Sequence, residues 1–150
     1  MTKIKKEFRA WVATLIIDKD DAAWVLLGKR GPTCGNPGTW GLPGGGVDEN
    51  EGFHTAARRE MLEETGVQIG PDDDFEHAFI SIMGTKEMHY FEYDLGRRSL
   101  PEFKLTEETV EYKWYRLEDF IEKKGTIKLD DLHFSAKRYL AWRYAFGENK

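Results

Sequence analysis

Three glutamates crowd one face of a single predicted helix. Within residues 53–65, Glu60, Glu63 and Glu64 fall at i, i+3 and i+4 and therefore project together. A helix C-terminus already carries partial negative charge, and each acid placed there costs about 0.3–1 kcal/mol. Like charges at this spacing repel one another further. A chain arranged for helix stability alone would carry lysine or arginine at these positions. A divalent cation held against that face is the simplest explanation. The rest of the helix must then pack by its other side, where Ala57, Met61 and Leu62 are the residues expected to meet a core. Arg59 stands four residues before Glu63, placed to hold that carboxylate's orientation.

The segment before the helix is equally restrictive. Residues 31–46 hold seven glycines and three prolines around Trp40 and Leu42. That composition excludes helix and lets backbone approach a ligand closely. Gly66 then closes the helix as a C-cap. Residues 8–17 and 23–27 read as strands joined by a turn at residues 18–21. Residues 76–83, 88–95 and 112–117 read as further strands, the middle one setting His89, Phe91, Tyr93 and Leu95 on one side. A short helix is expected near residues 118–123. A last one is capped by Asp130 or Asp131 and runs through Phe146, with Leu132, Ala136, Tyr139 and Leu140 as its buried stripe. Asp72, Asp73 and Asp74 lack the acid spacing and glycine of a calcium loop and read as solvated. Strands and helices mixed along 150 residues predict one layered α/β domain over residues 1–150.

Composition narrows the partners. A net charge of −5 argues against a nucleic-acid polymer or an anionic membrane. Small phosphorylated ligands remain compatible where metal ions and a few cations screen the charge. Cys34 is the single cysteine, so no intramolecular disulfide can form, and no stretch reaches membrane-spanning length. A reducing, cytoplasmic setting is expected. Edge strands and exposed aromatics are compatible with a homodimer. Carboxylate ligands suit Mg²⁺ or Mn²⁺, which commonly bridge protein oxygens to substrate phosphates. Reactions at phosphorus follow, in which the metal neutralises phosphate charge and activates water, and a carboxylate left off the metal accepts a proton.

The run from Gly45 to Val67 resembles the Nudix box: a glycine, five residues, a glutamate, seven residues, then Arg-Glu-apolar-X-Glu-Glu-X-Gly-apolar. Gly45, Glu51, Arg59, Glu60, Met61, Glu63, Glu64, Gly66 and Val67 satisfy every defining position. The approach, residues 40–47, is also similar to that family's. The resemblance implies an α/β/α sandwich around a mixed sheet, and Mg²⁺- or Mn²⁺-dependent hydrolysis of a nucleoside diphosphate linked to another group. It implies Glu60 and Glu64 as metal ligands joined by the Gly45 carbonyl, and Glu63 as ligand or general base. Arg59 would orient the glutamates and Glu51 would support the loop–helix junction or a second ion. A further acid from outside the box would be Glu107, Glu108 or Glu111, with Glu108 favoured. Arg30 resembles the cation that grips substrate phosphate in relatives, and Trp40 is a candidate for stacking on a base. His54, His77, His89 and His133 share no ligand spacing and read as structural or exposed, with His89 a candidate for the pocket wall. Signatures of ADP-ribose, NADH and coenzyme A hydrolases are missing. By elimination the chain looks closer to MutT-like nucleoside triphosphate pyrophosphohydrolases, with hydrolysis of ADP-ribose, a nucleotide sugar or a dinucleoside polyphosphate, and a catalytically silent nucleotide-binding module, as alternatives.

Overall fold

Alternation along one long strand organises the molecule. In the computed structural model, which describes residues 5–147, β1 (Glu7–Ile17) sends Ala10 and Val12 into one core and Trp11, Ala13 and Leu15 into another. A period of two allows nothing else. All five are buried, so both faces of the strand must be covered. The sheet around it contains β2 (Ala23–Arg30), β3 (Trp40–Gly41), β4 (Gly44–Gly46), β5 (Phe75–Met83), β6 (Lys86–Gly96) and β7 (Thr109–Arg116). Its main path runs β3-β2-β1-β6-β5, with β4 added to β1 and β7 to β2. β1 and β6 pair in parallel and the other pairs are antiparallel. Helix α1 (Phe53–Thr65) covers one face and α3 (Phe134–Trp142) the other, while α2 (Leu117–Glu122) follows β7 directly. This is the expected α/β/α sandwich. Among the described residues no helix is long and apolar enough to cross a membrane.

The α1 core joins Ala56, Ala57 and Met61 to Val67, Ile69, Phe75, Phe91, Tyr93 and Leu95. Leu62 is not part of it: the residue is 44% exposed, and Ala56 is buried in its stead. The buried residues Ala57, Met61 and Thr65 recur every fourth position, and Leu62 lies about 100° around the helix from Met61. Gly66 does cap the helix, at φ 79°, its N–H donating to Leu62 O at 3.0 Å.

On the opposite face Leu132, Ala136, Tyr139 and Leu140 meet Trp11, Leu27 and Tyr90 as the stripe predicts. The start of that helix differs. Asp130 and Asp131 lie in a 3₁₀ turn (Leu129–Asp131), and the N-cap is His133, whose ring accepts from the Ser135 N–H. A tertiary bond sets this position, because His133 N–H donates to Trp40 O on β3 at 2.7 Å. Burial pushes the His133 ring down to about 4, keeping it neutral and able to accept. Ser135 Oγ donates to His133 Nδ1 at 2.8 Å and accepts from Leu42 N–H at 3.1 Å. α3 ends at Trp142 and continues as a π-helical turn, Arg143–Gly147.

The glycine-rich segment is non-helical as its composition requires, and it supplies both short strands β3 and β4. At Gly44, φ is +148° and a Cβ would lie 2.1 Å from Ala10 O, so only glycine fits there. Replacing Met61 with alanine should cost about 2–5 kcal/mol in urea unfolding. Leu62→Ala should change stability by about 0.5 kcal/mol or less. Equal losses would place α1 in a different rotation.

Candidate active site

The last turns of α1 lie against the glycines of β4, and two of these glycines each serve one glutamate. Gly44 N–H donates to Glu64 Oε2 at 2.6 Å. The Glu60 carboxylate occupies the space where Gly45 lacks a side chain: a Cβ there would stand 2.9 Å from Oε1 and 3.0 Å from Oε2. The Glu60 and Glu64 carboxyls are close enough to share a hydrogen bond. Burial pushes Glu64 up to about 9 and raises Glu60 as well. Without a cation the pair therefore holds a proton at neutral pH.

Arg59 binds the rest together. Its Nε and Nη2 donate to the two Glu51 oxygens at 2.8 and 2.9 Å. Nη2 also reaches Gly46 O at 3.0 Å, and Nη1 reaches Glu60 Oε1 and both Glu63 oxygens at 3.2 Å. Bonds to Glu51 and Glu63 raise its pKa further above the ordinary arginine value. The Arg59 bonds to Glu51, with the Asp48 N–H, hold Glu51 below the usual carboxylate range. Glu63 remains 54% exposed beside this arginine.

A cavity of about 420 Å³ opens in front of β4, lined among others by Glu60, Glu64, Glu108, Arg30 and Arg9. A second hollow of about 340 Å³ is lined by Glu60, Glu63, Glu64, Glu107, Glu108 and Thr106. Of the three acids outside the box, Glu108 lines both spaces, Glu107 only the second and Glu111 neither. Tyr112 lines the cavity too and anchors the helix end, its OH donating to Glu64 O at 3.0 Å. Burial pushes that phenol to about 12. Arg30 Nε donates to Gly35 O at 2.6 Å, and the side chain has no carboxylate partner among the described residues.

Two expectations change. Trp40 offers no stacking surface: the indole is only 7% exposed and packs in the α3 core, with Lys113 Nζ 5.2 Å from its ring. β3 pairs with β2 in the sheet, and this turns the side chain inward. His89 does not line the cavity, because its ring stacks under Phe53 on the α1 face at 3.5 Å. His77 Nε2 lies 3.0 Å from His89 Nδ1, and Glu87 Oε2 lies 2.9 Å from His89 Nε2. Two residues went unrecognised in the sequence, Arg9 and Tyr112. The Glu7-Arg9-Trp11 alternation would have placed Arg9 on the cavity side of β1, whereas nothing local marks Tyr112.

Among the described residues no three His, Cys, Asp or Glu side chains close around a common point. The donor chemistry nonetheless fits Mg²⁺ or Mn²⁺. Glu60 and Glu64 form a two-carboxylate half-site of hard oxygens beside Gly45, open to a cavity that admits water and phosphate. Two carboxyls brought together in this buried setting are charge that a cation would neutralise.

The NUDIX domain family matches residues 7–142. A nucleoside triphosphatase NudI from Escherichia coli is 30% identical over 113 residues, 69% of this chain and 79% of that protein. An RNA pyrophosphohydrolase from Bartonella henselae is 41% identical over 66 residues, 41% of this chain and 37% of that protein. The chain thus spans little more than a third of the Bartonella protein. Among solved structures, the MutT protein from Methanosarcina mazei Go1 aligns over 99% of this chain and 100% of its own, at 26% identity and a TM-score of 0.66. A Nudix hydrolase from M. smegmatis, RenU, aligns over 99% of this chain and 90% of its own, at 20% identity and a TM-score of 0.68.

The raised Glu64 carboxyl makes a stability prediction for metal-free protein. Between the ordinary value of 4.5 and about 9 the folded state binds a proton that the unfolded state has released, so stability falls as pH rises through that window. Glu64→Gln should remove much of the fall and raise the metal-free melting temperature at pH 8 by on the order of 5 °C. A variant that melts lower than wild type at pH 8 would contradict the burial argument.

Proposed function

The chain belongs to the Nudix family, and on that basis we propose that it is a Mg²⁺- or Mn²⁺-dependent pyrophosphohydrolase. Its substrate is a nucleoside triphosphate, cleaved to nucleoside monophosphate and pyrophosphate. The observation that carries this reading is the buried Glu60–Glu64 pair, set against β4 in a cavity that also holds Arg30. Two carboxyls buried side by side gain nothing structurally from their position. Next to a cation and a phosphate chain they have a purpose. The name of the Escherichia coli relative, a nucleoside triphosphatase aligned over 79% of its length, supports a triphosphate substrate over a substituted diphosphate.

Glu60 and Glu64 hold the cation, with the Gly45 carbonyl beside them and Glu108 reaching from the loop before β7. When bound, the metal neutralises phosphate charge and lowers the pKa of coordinated water. Arg30 grips a phosphate through its planar fork. The attacking water adds to phosphorus, the anhydride bond breaks, and pyrophosphate departs with the electron pair. Glu63 accepts the water's proton, standing outside the buried pair yet fixed by Arg59 through both oxygens. Arg59 is a positioning residue: it fixes Glu51, Glu60 and Glu63 relative to Gly46.

Purified protein with Mg²⁺ and a panel of nucleotides, with products resolved, tests the assignment. Chelation should abolish turnover. Glu63→Gln and Glu64→Gln should each lower kcat by about 10²–10⁴-fold. Full-rate hydrolysis by both variants would refute it.

A further inference from the structure

Two cationic side chains, Arg9 and Arg30, line the cavity that holds Glu60, Glu64 and Glu108. Arg30 already has a role in the reading above. Arg9 comes from β1, in register with Gly46 of β4 and one pair from Gly45, against which the Glu60 carboxylate rests. Its guanidinium therefore emerges from the strand that neighbours the acid wall.

The two arginines near that wall differ in how fully they are committed. Arg59 spends its fork on Glu51, Glu60, Glu63 and Gly46 O. Arg9 donates from Nη1 to Phe8 O at 3.2 Å and from Nη2 to Glu7 Oε1 at 2.9 Å, and its Nε has no partner among the described residues. Glu7 lies two positions away on the same side of the strand. Its side chain is 44% exposed and shared with Thr85 Oγ1 at 3.0 Å, while Arg9 is 27% exposed. A solvated ion pair of this kind contributes little to stability and exchanges readily for a better anion. A phosphate offers an arginine two parallel charge-assisted bonds.

We propose that Arg9 is a second phosphate-binding residue of this site, gripping the far end of a polyphosphate chain, with Glu7 as the internal carboxylate that this phosphate displaces. The substrate assignment rests on the pyrophosphohydrolase reading. Cation, Arg30 and Arg9 together offer three anchor points, which suits a chain of three phosphates better than a substituted diphosphate. Arg9 thereby selects substrate by phosphate number.

The test measures steady-state kinetics on a nucleoside triphosphate and, separately, calorimetric binding of inorganic tripolyphosphate in Mg²⁺. Wild type is compared with Arg9→Gln, Arg9→Lys and Glu7→Gln. Arg9→Gln should raise KM and the tripolyphosphate Kd at least about tenfold, with kcat changed less than about threefold, the pattern of lost uniform binding. Arg9→Lys should fall between it and wild type. Glu7→Gln should tighten tripolyphosphate binding, and a fold defect would not have that sign. An active wild type whose KM and Kd move less than twofold in Arg9→Gln overturns the proposal and leaves the hydrolase reading intact. A wild type without turnover that binds tripolyphosphate through Arg9 does the reverse. Neither turnover nor binding overturns both.

Discussion

One guanidinium makes the acidic helix possible. Arg59 contacts Glu51 before the helix, Glu60 and Glu63 on it, and the last carbonyl of β4. Without that charge, the acids gathered at a helix C-terminus would repel one another and the helix dipole alike. With it, Glu60 and Glu63 are held in defined orientations and the helix is tied to the strand that supplies Gly44 and Gly45. Glu64 is the acid that Arg59 does not reach. A backbone N–H steadies it instead, and its burial is what raises its pKa most.

The second constraint is the sheet. β1 is buried on both faces, so each helix layer has its own half of the strand's side chains to cover. Glycines 44 to 46 pair with residues 9 to 11 of that strand. The acid pair therefore leans on a surface whose position is fixed from behind by Trp11 and the α3 core. The bonds among Leu42, Ser135 and His133 continue this support from the far side of the molecule.

What the sequence made legible was local chemistry. The spacing from Gly45 to Val67 carries the helix, its cap, the acid face and the arginine, because these residues meet one another within a few turns. The period-two pattern of β6 and the stripe of α3 were legible for the same reason. The misreadings all turn on tertiary geometry. Leu62 rolls into solvent because helix rotation is set by the sheet beneath it. Trp40 turns inward because a two-residue strand forms where composition showed only loop. His133 displaces two aspartates as cap because a β3 carbonyl fixes its backbone. The contribution of Glu108 beside Glu64 depends on a loop some forty residues downstream, and no pattern within either segment reports that meeting.

The cavity's walls come from unequal stretches of chain. Glu60, Glu63 and Glu64 stand within one short span, and Glu108 joins them from a separate loop. Arg9, Arg30, Thr109 and Tyr112 arrive from three separate strands. A gene copy can therefore drift in the scattered positions, acquiring a taste for a different nucleotide, while the compact span goes on supplying the same reaction. Diversification of this scaffold needs no reinvention of its chemistry.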